Sequence, residues 1–163
     1  MAKTTTAITL AAALADTGHA VLVIDLDAQA CATFSLGIDP EDLPPQTVDF
    51  LLDDLPASQG AARMRSAIRT TDEGFSLLPA TLSLASADVS LADRPARERT
   101  LSRVLDEIRD TFDVIVIDCS PSLGLTTINA LVAADDVLVP FKCETLSHRG
   151  LGQLMESIAE VKR

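Results

Sequence analysis

Three short stretches carry side chains whose types and spacing could act on phosphates. Met1-Ala2-Lys3-Thr4-Thr5-Thr6 runs directly into an alanine-rich helical pattern. A lysine followed by hydroxyl residues at the head of a helix is the back half of a phosphate-binding loop, G-x-x-x-x-G-K-[ST]. In that loop backbone N–H groups curl around phosphates and the helix N-terminus points at them. The lysine then reaches the β/γ-phosphates, and the next hydroxyl binds Mg²⁺. The second stretch is Asp25-Leu26-Asp27 and the third is Asp118. An apolar run followed by Asp is the Walker B pattern, whose carboxylate holds Mg²⁺ directly or through water. Taken singly, each stretch also fits an ordinary role. Thr4 could sit near a helix N-cap, and each aspartate could be a turn residue or cap.

The elements that must position these residues follow from periodicity. From Lys3 to about Asp16, Ile8, Ala11, Ala12, Leu14 and Ala15 form a helical apolar face, and Gly18 is placed to stop it. Ala20-Val21-Leu22-Val23-Ile24 is short and continuously apolar, as a buried parallel strand is, and it ends at Asp25. Asp113-Val114-Ile115-Val116-Ile117-Asp118 is the strongest strand pattern, because four consecutive β-branched residues need burial on both faces. Further strands are expected at about 75–79 and 136–140. Helices are expected over about 47–52, 58–69, 83–91, 96–111 and 125–133, and from about 147 to the end. Strands alternating with helices give an α/β three-layer sandwich with a mostly parallel sheet. Lys3-Thr4, Asp25, Asp27 and Asp118 then share the C-terminal edge of that sheet, where α/β proteins bind ligands.

Composition agrees with this frame. The 163 residues suit one domain, 1–163, and 47% are hydrophobic but only 3% aromatic, so the core is Leu, Val, Ile and Ala. A net charge of −11 argues against a surface made wholly for nucleic acid. Cys31, Cys119 and Cys143 are odd in number and lack C-x-x-C spacing, which reads as reduced thiols in a cytoplasmic protein. The apolar run Ile8 to Ala15 is too short to span a membrane, so no stable membrane insertion is expected. Cys119 and Cys143 read as buried small hydrophobes, and Arg97, Arg99 and Arg103 as a solvated helix face.

With these residues placed, the chain resembles the ParA/MinD family of deviant Walker A ATPases, in its ParA (Soj-like) chromosome and plasmid partitioning branch. Lys3-Thr4-Thr5-Thr6-Ala7-Ile8-Thr9-Leu10-Ala11 is similar to the family's K-T-T-T-A-x-N-L-A. Ile24-Asp25-Leu26-Asp27-Ala28-Gln29 is similar to I-D-x-D-P-Q, and Phe112 to Gly124 to Y-D-x-I-x-I-D-x-P-P-S-L-G. The resemblance implies a P-loop NTPase-like fold with ATP and Mg²⁺ as cofactors. It implies that Lys3 pairs with the β/γ-phosphates, Thr5 contacts the α-phosphate, and Asp27 orients the attacking water. Thr4 and Asp118 would hold Mg²⁺, with Asp25 beside them as a further metal candidate. It also implies a homodimer formed on ATP binding, a ParB-like partner protein, non-specific DNA contact through the family's C-terminal part, and possible nucleoid association.

The chain departs from the pattern in several places. Ala2 stands at the family's final loop glycine, Ala28 at the usual Pro, Ala30-Cys31 at Gly-Asn and Ser120 at Pro. The early glycines, the signature lysine, the first strand and the C-terminal part have no counterpart in these residues, so the chain reads as truncated at both ends. Lys3 and Thr4 without an N–H cradle are expected to bind ATP weakly or not at all. The alternatives are an inactive fragment that keeps only the fold, or a MinD-like cell-division and positioning regulator, which a C-terminal amphipathic helix would mark.

Overall fold

The computed structural model describes residues 2–41, 43, 55–140, 152, 155, 156, 158 and 159. Helix α1 spans Lys3–Asp16. It ends where Gly18 adopts φ 91°, a left-handed conformation that glycine reaches without strain. The Gly18 amide reaches the Ala15 carbonyl at 2.8 Å and the His19 amide reaches that of Leu14 at 3.2 Å, which satisfies two carbonyls of the last turn.

Strand β1 (Val21–Leu26) is buried throughout, as its unbroken apolar run requires. Then follow α2 (Cys31–Ser35), α3 (Ala57–Ala67), β2 (Arg69–Thr70), β3 (Ser76–Leu78) and α4 (Ala87–Leu91). The described chain continues with α5 (Thr100–Asp106), β4 (Val114–Cys119) and α6 (Leu125–Ala133). Single 3₁₀ turns lie at Leu82–Ser86, Arg97–Arg99 and Arg109–Thr111.

The sheet order is β2-β3-β1-β4. β1 is parallel to both β3 and β4, and the short β2 runs antiparallel to β3. Alternate side chains of β1 serve two cores. Val21 and Val23 pack with Phe75 and Leu77 beneath Ala11 of α1. Leu22, Ile24 and Leu26 face the other way, onto Met64 of α3 and Leu101, Val104 and Leu105 of α5. The result is the expected helix–sheet–helix sandwich.

Two expectations are corrected. Residues 136–140 form no strand: Val137 and Leu138 are exposed, and the segment carries no regular structure. A strand needs a neighbour for its backbone groups, and no described strand lies beside it. The fourth strand is β2 instead, two residues long and too polar to show a period. The long helix expected over 96–111 is α5 flanked by two 3₁₀ turns. It starts from Ala96 at φ 51°, and the Ile108 amide bonds back to Leu105 instead of Val104. Its apolar stripe of Leu101, Val104, Leu105 and Ile108 is nevertheless buried. The helix expected over 47–52 lies outside the described residues. Of that expected from 147, only residues 152, 155, 156, 158 and 159 are described, and they are helical.

Candidate functional site

Parallel register decides which residues meet at the sheet's C-terminal edge. Asp25 of β1 stands opposite Asp118 of β4, and Leu26 opposite Cys119. Both aspartates follow the alternation of Val21, Val23 and Val116, so they lie on the face of the sheet that α1 covers. The first turn of α1 carries Lys3 and Thr4 to the same place. The Thr4 hydroxyl is near enough to the Asp118 carboxylate to favour its charged form, and the charges of Lys3 and Asp27 both act on it. Lys3, Thr4, Asp25, Asp27 and Asp118 thus converge, as the sequence predicts. Thr5 is exposed on the first turn of α1.

Asp118 is 3% exposed, and its Oδ2 is buried without a hydrogen-bond partner. Burial pushes its pKa above the ordinary carboxylate range. The Thr4 hydroxyl opposes that shift, Asp27 adds to it, and Lys3 opposes it. A buried anionic oxygen with no donor is costly, and a cation would satisfy it. The donor set fits Mg²⁺, which keeps several waters and takes one or two protein oxygens together with substrate phosphates. It does not fit an all-protein metal cage, since the described residues contain no metal-ligating group of three or more His, Cys, Asp or Glu.

The start of α1 fits phosphate. It has no side-chain cap and no acid in its first turn, so its free N–H groups and positive dipole end stay open beside Lys3. The N-terminus of α6 differs: the Asp88 carboxylate of α4 accepts the Thr126 amide at 2.8 Å and fills that position.

Asp25 is fully buried and built into the scaffold. Its Oδ2 accepts the Thr33 amide at 2.9 Å and the Thr33 hydroxyl at 2.7 Å, and its Oδ1 accepts the Asp27 amide at 3.2 Å. The Thr33 hydroxyl also accepts the Ala80 amide at 2.9 Å. Burial pushes the Asp25 carboxyl up to about 6, against the pull of the Thr33 side chain, the Thr33 amide and the Asp27 amide; the Asp118 charge adds a small further rise. Asp27 lies half-buried at the mouth, its Oδ1 holding the Gln29 amide at 3.0 Å. The turn closes on Ala30 at φ 49°, an uncommon conformation for a residue with a Cβ. Sequence reasoning did not find Thr33, Asp88 or the amides they bind, because nothing local marks a side chain that serves an element far along the chain.

Cys31 is exposed at the start of α2, in keeping with a loop beside the site. Cys119 is half-buried against the core, and burial pushes its thiol up to about 12. Arg97, Arg99 and Arg103 are exposed. Cys143 lies outside the described residues.

Comparison with known proteins places this site in context. The pattern that defines the AAA_31 family, described as an AAA domain, matches residues 1–163. The chain is 41% identical over 162 residues to the sporulation initiation inhibitor protein Soj of Bacillus subtilis (strain 168), covering 99% of this chain and 61% of Soj. It is 40% identical over 162 residues to the chromosome partitioning protein ParA of Myxococcus xanthus (strain DK1622), covering 99% of this chain and 55% of that protein. The chain therefore spans less than two thirds of the length of these relatives. Among solved structures it resembles a cobyrinic acid a,c-diamide synthase from Mycobacterium smegmatis with bound ATP analogue and magnesium. The TM-score is 0.89 at 48% identity, over 99% of this chain and 63% of that one. It also resembles a plasmid partition protein from Borrelia burgdorferi, with TM-score 0.79 at 26% identity over 98% and 68% of the two chains.

Proposed function

The chain belongs to the AAA_31 family of AAA domains, ParA/MinD-like in type, and on that premise we propose that it is a Mg²⁺-dependent ATPase acting in DNA partitioning. The observation that carries the proposal is the buried, unpartnered Oδ2 of Asp118 beside Thr4 and Lys3 at the open start of α1. Lys3 would neutralise the β/γ-phosphates, and Thr5 would contact the α-phosphate. Thr4 and Asp118 would hold Mg²⁺, which when bound draws charge from the phosphate oxygens. Asp27, half-exposed at the mouth, would orient the attacking water. Asp25 would act from behind, fixing the Asp27 amide and the start of α2. Catalysis of this kind is positioning plus electrostatics, which suits a site built from strand ends and one helix start.

The partitioning role rests on the identity to Soj and ParA proteins. It extends to an ATP-dependent homodimer, a ParB-like partner, and non-specific DNA binding with nucleoid association. No described helix is long and apolar enough to cross a membrane. Titration of the natural protein with a fluorescent ATP analogue tests the nucleotide site. Binding that needs Mg²⁺ and is lost in Lys3→Ala is expected; equal binding by both proteins would refute it. A second reading comes from the 48% identity to the diamide synthase. ATP turnover that depends on added cobyrinic acid would select it over turnover that responds to DNA.

A further inference from the structure

The segment between Asp118 and α6 is clamped at its far end by groups the ATPase reading does not use. The Thr127 hydroxyl donates to the Ser122 carbonyl at 2.7 Å, and Ser120 Oγ lies 3.2 Å from Ser122 Oγ. The decisive clamp is Asp88. Its Oδ1 accepts the Thr126 amide at 2.8 Å across a separation of 38 residues. Its Oδ2 lies so close to Gly124 that a Cβ there would overlap it. Only a residue without a side chain lets the carboxylate reach the helix start. α6 supplies no cap of its own, so Asp88 provides its N-terminal anchor. The near end of the loop is fixed by the pairing of Cys119 with Leu26, next to Asp118. The loop thus runs from the end of the strand that carries Asp118 to the helix start that Asp88 holds.

We infer that Asp88 is a positioning residue for ATP hydrolysis, holding the 120–124 loop and the end of β4 so that Asp118 keeps its place against Thr4. The inference rests on the ATPase reading for its kinetic consequence and on geometry alone for its structural one. Asp88 would touch neither nucleotide nor metal; it acts through Gly124 and Thr126.

The test compares Asp88→Ala, Asp88→Asn and a control, Asp113→Ala, in the natural protein. Asp113 makes a similar clasp at the opposite end of β4, accepting the Ala20 amide at 2.8 Å. Asp88→Ala is expected to lower kcat about tenfold or more while KM for ATP stays within about twofold, since a displaced loop costs orientation. Asp88→Asn, which keeps an acceptor oxygen, is expected to recover most of the rate, and Asp113→Ala to leave kcat unchanged. Hydrogen exchange over residues 119–127 gives a readout independent of turnover. It is expected to rise about tenfold or more in Asp88→Ala and not in Asp113→Ala, as the clamp opens locally. Unchanged exchange in Asp88→Ala would overturn the inference whether or not the protein hydrolyses ATP. So would a wild-type kcat in that variant, or an equal loss in the control. A wild-type protein that turns over no ATP, yet loses protection in Asp88→Ala, would refute the ATPase reading and leave the clamp standing.

Discussion

Thr33 holds Asp25 with two donors at once, its hydroxyl at 2.7 Å and its amide at 2.9 Å from the same oxygen. Because that hydroxyl also receives the Ala80 amide, one side chain ties the end of β1, the start of α2 and the segment after β3. Thr33→Val keeps the shape but removes both bonds of the hydroxyl. It leaves the Ala80 amide unpaired and Asp25 short of a donor. A loss of about 2–3 kcal/mol is expected, measured by denaturant unfolding at pH 7, with Thr33→Ser close to wild type.

The raised pKa of Asp25 makes stability depend on pH in a definite direction. Its carboxyl moves from 3.8 to about 6 on folding. Between those values the unfolded chain has released a proton that the folded chain still holds. The folded state binds more protons there, so stability falls as pH rises through this window. The Asp25 share is about 3 kcal/mol at most. Asp118 is raised too and acts in the same direction. Unfolding measured from pH 4 to 7 is expected to show the decline, and Asp25→Asn to flatten most of it. A stability that rises across that range would contradict the buried, raised carboxyl.

On the proposed function, Asp118 sets function against stability. Its orphaned oxygen and the burial of its charge destabilise the metal-free fold. Asp118→Asn removes the buried charge, so a higher melting temperature without Mg²⁺ is expected, together with loss of Mg²⁺-dependent ATP turnover. Added Mg²⁺ and ATP should stabilise wild type, since a ligand of the native state raises its stability. A melting temperature for Asp118→Asn below that of wild type would show that the carboxylate is satisfied in another way.

The two described cysteines should differ sharply in reactivity. Cys31 is exposed, whereas Cys119 is half-buried with its thiol pushed up to about 12. Thiolate is the reactive form, so iodoacetamide at pH 8 should label Cys31 first. Cys119 should react mainly after unfolding. Peptide mapping by mass spectrometry reads the two sites separately, and equal rates would argue against the burial of Cys119.

The parts legible in the sequence are those set by local pattern. β1 and β4 each lie within a residue of their expected bounds because continuous apolar runs have one parallel-sheet solution. α6 matches 125–133, and Gly18 stops α1 through its own backbone freedom. The meeting of Lys3, Thr4, Asp27 and Asp118 was legible because a parallel sheet sends all its strand ends to one edge. What escaped were matters of partnership. Residues 136–140 have strand composition, yet pairing depends on a neighbour that composition does not name. β2 exists only through its antiparallel bonds to β3. Asp25 reads as a metal candidate beside Asp27, and only coordinates reveal that three donors occupy both its oxygens.

None of α2, α5 or α6 caps itself. Asp25 serves α2 from 8 residues away, Asp88 serves α6 from 38, and the Asn129 carboxamide receives the Leu101 amide of α5 from 28. Each short helix therefore finds its first-turn partner only when a remote segment has arrived. Helices of this length do not persist alone in water, and here even the local signal that could nucleate them is absent. Excised peptides covering 100–106 or 125–133 should be coil. The chain's helices and its sheet should consequently appear together during folding, in one cooperative transition instead of helices first.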